Sequence, residues 1–417
     1  MGQIVGQLGG MTMLLFVVLL ALRCLGLLEW LPHKWRRQKL LLRQMPEVCT
    51  PFTRQDYLLA FFGVLAVQWA MLFFAWLTLN QSGGIPAFLA HFWQRFTEAG
   101  DSPHYLFIAE NGYQPGGEDA KWIVFYPLYP LLIRAMSVVT AGNLPLAAVL
   151  LSQICWGGCG AVALRLAGCW LKRKQAITAV LFLAVYPFAF FAMGVYTESL
   201  FLLLCMSCIV WAYQKQWPLA GVAGGLVALC RTQGMVLLLP VLWLWLMARK
   251  KQKQGIKSLA IGIIPMGFGV YLACNYLLFG NCFQYLQFQA DAPWYQTTQW
   301  IGNNLALHWQ LAFQYPGLAN FIYWPQIGLY FVGMALLFWG LFQGVPTEWL
   351  IWGGAYLGMS YLPGWLISGS RYMFGCIPLF LLLASIPAKR VRLGLLLVST
   401  LACCCYTVLY LQGQAIM

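Results

Sequence analysis

Charge is scarce in this chain. Of its 417 residues, 9% are Asp, Glu, Lys or Arg, against about 25% in an ordinary soluble domain. Only eleven are acidic. The chain is 61% hydrophobic with a mean hydropathy of +0.71. No polar stretch reaches the roughly 50 residues of a small soluble domain. Other signals are missing as well. There is no G-x-G-x-x-G or P-loop pattern, so a soluble nucleotide donor is not indicated. His91, His104 and His308 lack metal-ligand spacing of the H-E-x-x-H type. No internal repeat of roughly 20–50 residues and no inverted halves are found, which counts against many transporter architectures. No basic residue precedes the first apolar run, so it is read as a retained helix with its N-terminus outside rather than a usual signal peptide.

What is present is a series of apolar runs. A run of about 20 such residues spans the hydrocarbon of a bilayer. The chain is therefore read as all-α and polytopic, one transmembrane domain over 1–417. Expected spans are 8–28, 58–79, 144–170, 176–192, 195–213, 218–230, 234–247, 258–279, 325–343, 348–366, 372–387 and 393–412, about twelve transmembrane helices in all. The net charge of +14 does not speak for nucleic acid, because 18 of the 25 Lys and Arg residues lie in short loops. Those loops are Lys34 to Arg54, Lys172 to Lys174, Lys215, Arg249 to Lys257 and Lys389 to Arg392. Such clustering marks cytoplasmic loops and contact with lipid headgroups. Two choices keep that rule intact. The run Ile123 to Thr140 is placed as an interfacial or re-entrant element, in keeping with Pro127 and Pro130. The stretch 218–247 is split at Arg231-Thr232-Gln233-Gly234. The fourteen cysteines lie almost all in apolar runs and imply no disulfide framework. Cys205 and Cys208 form a C-x-x-C in mid-span, which argues against redox or zinc chemistry. Cys282 alone is clearly in a long outer loop.

With this topology one face collects the polar features. Loops 80–143 and 280–324, the latter with Asp291, lie there, as do the turn at Glu198, the break at Arg231 and the turn Ser368-Gly369-Ser370-Arg371. Seven of the eleven acids fall on that face, and the inner halves of the spans are expected to lack them. Ionisable residues at membrane depth are costly and usually functional. Asp101 follows an amphipathic stripe of Phe88, Leu89, Phe92, Trp93 and Phe96, and precedes a helix carrying His104, Tyr105, Ile108 and Glu110. It is read either as the N-cap of that helix or as a general base at the membrane surface. Glu198 is read as an acid favoured by a helix dipole, or as the group that holds Arg231 or a substrate hydroxyl. Arg231 and Arg371, isolated among apolar residues, need an acidic partner or a phosphate, which guanidinium binds through paired hydrogen bonds. A metal site from His104 with Glu110, Glu118 or Asp119 is the weaker alternative.

The motif order then carries a resemblance. Asp-Ser-Pro-His-Tyr-Leu-Phe-Ile-Ala-Glu-Asn-Gly-Tyr (101–113) is followed by Phe-Tyr-Pro-Leu-Tyr-Pro-Leu-Leu (125–132), Tyr-Thr-Glu-Ser-Leu-Phe (196–201), Arg-Thr-Gln-Gly (231–234) and Ser-Arg-Tyr (370–372). From about residue 90 to 375 the chain resembles the PIG-V family, the glycosylphosphatidylinositol mannosyltransferase II group of GT-C glycosyltransferases. The resemblance implies a GT-C-like arrangement with an interfacial first outer loop. It also implies a membrane enzyme that takes mannose from a polyprenyl (dolichyl) phosphate and passes it to a lipid-linked or glycan acceptor with inversion. Asp101 matches the essential carboxylate of the first outer loop. One departure stands out: Gly100 occupies the place where the family usually has an aromatic residue.

On this reading Asp101 is catalytic, Arg231 and Arg371 meet the charge of the leaving phosphate, and His104, Glu110 and Glu198 shape the site. No cofactor is certain, and a divalent cation, Mg²⁺ or Mn²⁺, is left open. The expected partners are the carrier-linked donor, the acceptor and membrane lipids; nothing speaks for or against an accessory subunit. Short loops without large inserts suggest a prokaryotic relative. A bacterial plasma membrane is therefore favoured over the endoplasmic reticulum. A transporter or flippase of a lipid-linked sugar, or a GT-C transferase of another carrier sugar, are the alternatives.

Overall fold

A chain this apolar has few ways to satisfy its backbone in lipid, and coiling is the simplest. The computed structural model describes residues 1–26, 50–79, 83–364, 368–414 and 416. The basic run from Lys34 to Arg43, His33 and the first residues of the loop expected at 80–143 lie outside the described residues. In chain order the helices are α1 (Gly2–Cys24), α2 (Arg54–Leu77), α3 (Gly84–Thr97), α4 (Ser102–Asn111), α5 (Leu128–Ser137) and α6 (Leu144–Gly168). Then come α7 (Arg173–Ala184), α8 (Glu198–Tyr213), α9 (Trp217–Ala228), α10 (Leu238–Lys251), α11 (Ile263–Phe279) and α12 (Gln284–Ala290). The last are α13 (Ile301–Gln314), α14 (Trp324–Leu341), α15 (Thr347–Ser360), α16 (Ile377–Ser385) and α17 (Lys389–Leu411). Among the described residues the sole β feature is an isolated bridge between Thr298 and Pro363.

The protein is an all-helical, multi-pass membrane protein. Among the described residues seven stretches are long and apolar enough to cross by themselves: Gly2–Cys24, Arg54–Leu77, Leu144–Gly168, Thr232–Lys251, Ile256–Phe279, Asn320–Leu341 and Lys389–Leu411. The expected twelve are not reached by that measure. The difference lies in α7, α8, α9, α15 and α16, which have 12, 16, 12, 14 and 9 residues. At 1.5 Å per residue even α8 is about 24 Å long, short of the roughly 30 Å hydrocarbon. Prolines account for part of this. Pro187 follows α7 closely and Pro378 opens α16, and each removes a backbone donor. The chain also breaks at Arg231, whose backbone is extended between α9 and the 3₁₀ turn Thr232–Leu237. Ile123 to Thr140 holds a 3₁₀ turn and the ten-residue α5, too short to cross. The region 280–324 is largely helical, with α12 and α13 inside it.

Helices approach closely where side chains are missing. A methyl group on Gly160 of α6 would come within 2.2 Å of the Ala60 carbonyl of α2, and one on Gly267 of α11 within 1.9 Å of the Gly225 carbonyl of α9. Small residues permit such contacts in membranes. The described cysteines are all free, and Cys205 and Cys208 are buried along α8.

α8 also separates two ends of the molecule. At its C-terminal end the basic loops gather. Arg173 pairs with Asp56, Thr50 N donates to Gly168 O (2.7 Å), and Gln175 reaches Ser385 O. A carboxylate lies there too, contrary to the expectation that inner halves lack acids. Glu348 is buried at the start of α15, where it accepts from Tyr213 Oη (2.8 Å). Glu198 stands at the opposite end of α8.

Candidate functional site

α3 is amphipathic and buries Phe88, Phe92 and Phe96. It thereby fixes the start of the loop that carries Asp101. Gly100 has φ +63°, a left-handed conformation that glycine adopts without steric cost. The departure noted in the sequence thus has a local reason: the chain turns here, and an aromatic residue would be strained. The turn is tied down from below. Ser102 Oγ donates to Phe96 O (3.1 Å), Val195 N to Phe96 O (3.1 Å) and Tyr196 Oη to Ala99 O (3.2 Å).

Asp101 occupies the N-cap position of α4, yet its side chain makes no capping hydrogen bond. Its Oδ2 instead accepts from Arg371 Nη1 at 2.7 Å. The same arginine donates from Nε to Glu198 Oε1 at 2.5 Å. Arg231 donates to that oxygen as well, from Nη2 at 2.6 Å, and from Nε to Thr197 Oγ1 at 2.5 Å. Aromatic faces help to hold the arginines. The Arg371 guanidinium lies 4.7 Å from the Tyr196 ring and 4.8 Å from the Phe191 ring, and that of Arg231 lies 5.7 Å from the Phe201 ring. Four charged residues from four separate segments therefore form one hydrogen-bonded row. Exposure is least in the middle of the row and greatest at its Asp101 end. The side chains of Glu198 and Arg371 are 2% and 3% exposed, that of Arg231 11% and that of Asp101 32%.

Asp101, Arg231 and Arg371 line a cavity of about 640 Å³. Glu198 does not; it sits behind the arginines in the first turn of α8, where the helix dipole also favours it. Both sequence readings of Glu198, dipole and arginine holder, describe its place. His104 stands beside the cavity rather than in its wall. Its ring stacks on Trp122 at 3.9 Å and on Phe125 at 5.1 Å. Burial pushes the imidazole pKa down, with the Asp101 charge opposing and Lys121 adding to the fall. Glu110 is exposed at the far end of α4 and is not brought to the cavity. Glu118 pairs with Lys121 at 2.5 Å, which lowers its pKa, and Asp119 accepts from Trp122 Nε1. Among the described residues no three His, Cys, Asp or Glu side chains group as metal ligands. His91 reaches Leu411 O, and His308 is buried in α13.

Several cavity residues were missed by the sequence reading. Tyr126 shares a hydrogen bond with Thr232 (2.7 Å). Gln233, Gln289, Trp294 and Gln296 also form part of the wall. Tyr126 and Gln233 fall within the motif runs 125–132 and 231–234, and for the others the available signal was the density of glutamine and aromatic residues from Gln284 to Trp300.

No family model matches the chain, so the PIG-V resemblance rests on its motifs alone. No curated protein matches either. Two solved structures are similar. One is an oligosaccharyltransferase from Archaeoglobus fulgidus in complex with Zn and sulfate, at 14% identity, over 78% of this chain and 48% of that one, with a TM-score of 0.41. The other is the archaeal oligosaccharyltransferase AglB of the same organism with an inhibitory peptide and a dolichol-phosphate, at 12% identity, over 78% of this chain and 51% of that one, with a TM-score of 0.40. The chain spans about half the length of each. A likeness this distant carries no argument about the chemistry of this chain.

Proposed function

We propose that the protein is a membrane glycosyltransferase of the GT-C kind. It moves a sugar, mannose by the PIG-V-like motif order, from a polyprenyl phosphate to a lipid-linked or glycan acceptor on the extracytoplasmic face. The observation that supports this best is the row of charges at one cavity. A carboxylate and two guanidiniums line it in a single network.

The chemistry follows from what each group can do. The Asp101 carboxylate takes the proton of an acceptor hydroxyl. The acceptor oxygen forms a bond to the anomeric carbon as that carbon's bond to the phosphate oxygen breaks. The polyprenyl phosphate leaves as an anion, and no proton is required for it. Its charge is met by Arg231 and Arg371, placed before the reaction by Glu198 and the aromatic rings. Preorganised cations of this sort each contribute about 10²–10³ in rate. Nε and Nη2 of Arg231 are taken by Thr197 and Glu198, which leaves Nη1 for the ligand. Among the described residues Asp101 is the single carboxylate in the wall, and those residues do not fit a multidentate divalent-cation site. No step is assigned to a metal. Glu110 has no part in this reading, and His104 supports the wall through Trp122 and Phe125.

The alternative of a transporter calls for ionisable groups along a path through the spans. Glu348 is one such group on the inner side, but Tyr213 holds it and Trp349 Nε1 holds Tyr213 (3.0 Å). The test is transfer of radiolabelled mannose from polyprenyl-phosphate-mannose into membrane lipids. Wild type is expected to transfer and Asp101→Asn, expressed to the same level, is expected not to. Equal transfer by both removes Asp101 from its role. Failure of wild type with mannose and with other carrier sugars overturns the transferase reading.

A further inference from the structure

The cavity has two kinds of wall. One is the charged row. The other is drawn from the segment Tyr285 to Thr298, joined by Phe125 and Gln233; Asp291 of that segment is exposed outside the wall, and the side chains that line it carry no charge. Three glutamines, Gln233, Gln289 and Gln296, stand in it. None of their side-chain amides hydrogen-bonds another described residue. All three are half-buried in the wall of one cavity, where water or a ligand that fills it is left to partner them.

Trp294 stands among them, half-buried. Its ring meets Trp122 at 6.0 Å and 89° and Phe125 at 6.2 Å and 68°. His104, stacked on Trp122, backs this aromatic block. The backbone of the segment is fixed. Gln296 N donates to Gln289 O (2.7 Å), Gln299 N to Leu362 O (2.8 Å) and Gly364 N to Thr297 O (2.5 Å). The amides and the indole are thus presented from an ordered frame, with no need to fold around the ligand.

We propose that this second wall is a subsite for an uncharged saccharide ring. The inference rests on the transferase reading of the same cavity. A sugar hydroxyl is both donor and acceptor, and a side-chain amide is the neutral group that offers both in return. The C–H face of a pyranose is the apolar surface an indole can cover. A lone phosphate would use the amide donors but leave the amide carbonyls and the indole unmatched, and a lipid tail would leave the amides unmatched. A sugar phosphate matches both walls at once, its anion on Arg231 and its ring toward Trp294. The ring has two sources, the carrier-linked donor or the saccharide of the acceptor.

The two are separated by binding measurements on the purified full chain in detergent. The probes are farnesyl phosphate, farnesyl-phosphoryl-mannose and methyl α-mannopyranoside, the last followed by saturation-transfer NMR. If the donor sugar occupies the wall, Trp294→Ala weakens farnesyl-phosphoryl-mannose about tenfold and leaves farnesyl phosphate unchanged. If the acceptor saccharide does, both farnesyl probes bind as in wild type and the methyl mannoside signal is lost. Trp294→Phe, which keeps a ring, retains most of the binding, and Gln233→Leu reproduces the loss from a different segment. Unchanged binding of every probe by Trp294→Ala and Gln233→Leu overturns the subsite. Failure of wild type to bind farnesyl phosphate instead strikes at the transferase reading, while the mannoside signal still decides the subsite.

Discussion

The protein buries an arginine and a glutamate at each end of α8, and the two ends use them differently. At the end where the basic loops lie, expected to be the inner one, Arg23 of α1 donates from Nε to Thr347 Oγ1 (3.2 Å) and gives its other donors to backbone carbonyls: Gly340 O (3.0 Å), Leu341 O (2.8 Å), Gln343 O (3.3 Å) and Val345 O (2.5 Å). Gly340 and Leu341 are in the last turn of α14, where carbonyls run short of intrahelical donors, and Gln343 and Val345 lie in the turn that follows. Arg23 is thereby a fastener between α1 and the turn into α15. At the outer end Arg231 and Arg371 meet carboxylates instead, and the row opens onto a cavity. The residue types are the same. What separates a fastener from a site is whether the charged groups still face a space that a ligand can enter.

Substitutions can break that contrast, and they rank by expected size. Asp101→Asn is the most severe for chemistry, with transfer falling about 10²- to 10⁴-fold while the thermal unfolding midpoint in detergent stays near that of wild type. A midpoint that collapses along with activity would make Asp101 a fastener too. Arg231→Lys keeps the positive charge but not the fork that serves Thr197 and Glu198 together, and a rate loss of about 10²-fold is expected in single-turnover transfer. Arg23→Met should do the opposite. It leaves helix-end carbonyls buried without donors, at about 1–3 kcal/mol of stability, while transfer per folded molecule is unchanged. Lower activity in properly folded Arg23→Met would join the two ends functionally.

The smallest effect concerns His104. Its pKa in the folded protein lies below the ordinary 6.5 through burial, so the unfolded chain binds the proton more readily. The stability it contributes is complete above that ordinary value and is lost as pH falls through the lowered one. Thermal unfolding at pH 7.5 and 5.5 should therefore show a slope in wild type that His104→Phe reduces. An equal slope in both chains would put the sensitivity elsewhere.

Much of the outer site was legible because charge is rare in this chain. Asp101, Glu198, Arg231 and Arg371 each interrupt an apolar context, and the cost of burying them is visible in the sequence alone. Their pairing was not. Glu198 and Arg371 are 173 residues apart, and nothing local states which acid meets which arginine. Glu110 looked equivalent to its neighbours, but its register on α4 turns it outward. The glutamine and tryptophan wall escaped notice because those residue types are ordinary in a loop; only the cavity gives them meaning. Glu348 was overlooked at the margin of an expected span. Seven of the expected twelve crossing helices are long enough to span by themselves among the described residues, because hydropathy does not register where prolines and 3₁₀ turns shorten a helix.

The outer row also has an electrical consequence. Two guanidiniums stand against two carboxylates, so the site is balanced before anything binds. A phosphate entering it is surplus negative charge, and it competes with Asp101 for the Arg371 guanidinium. On the proposed reading the carboxylate is then free only when the carrier is in place. An empty cavity would keep its base latched, and stray water would find nothing there to activate it.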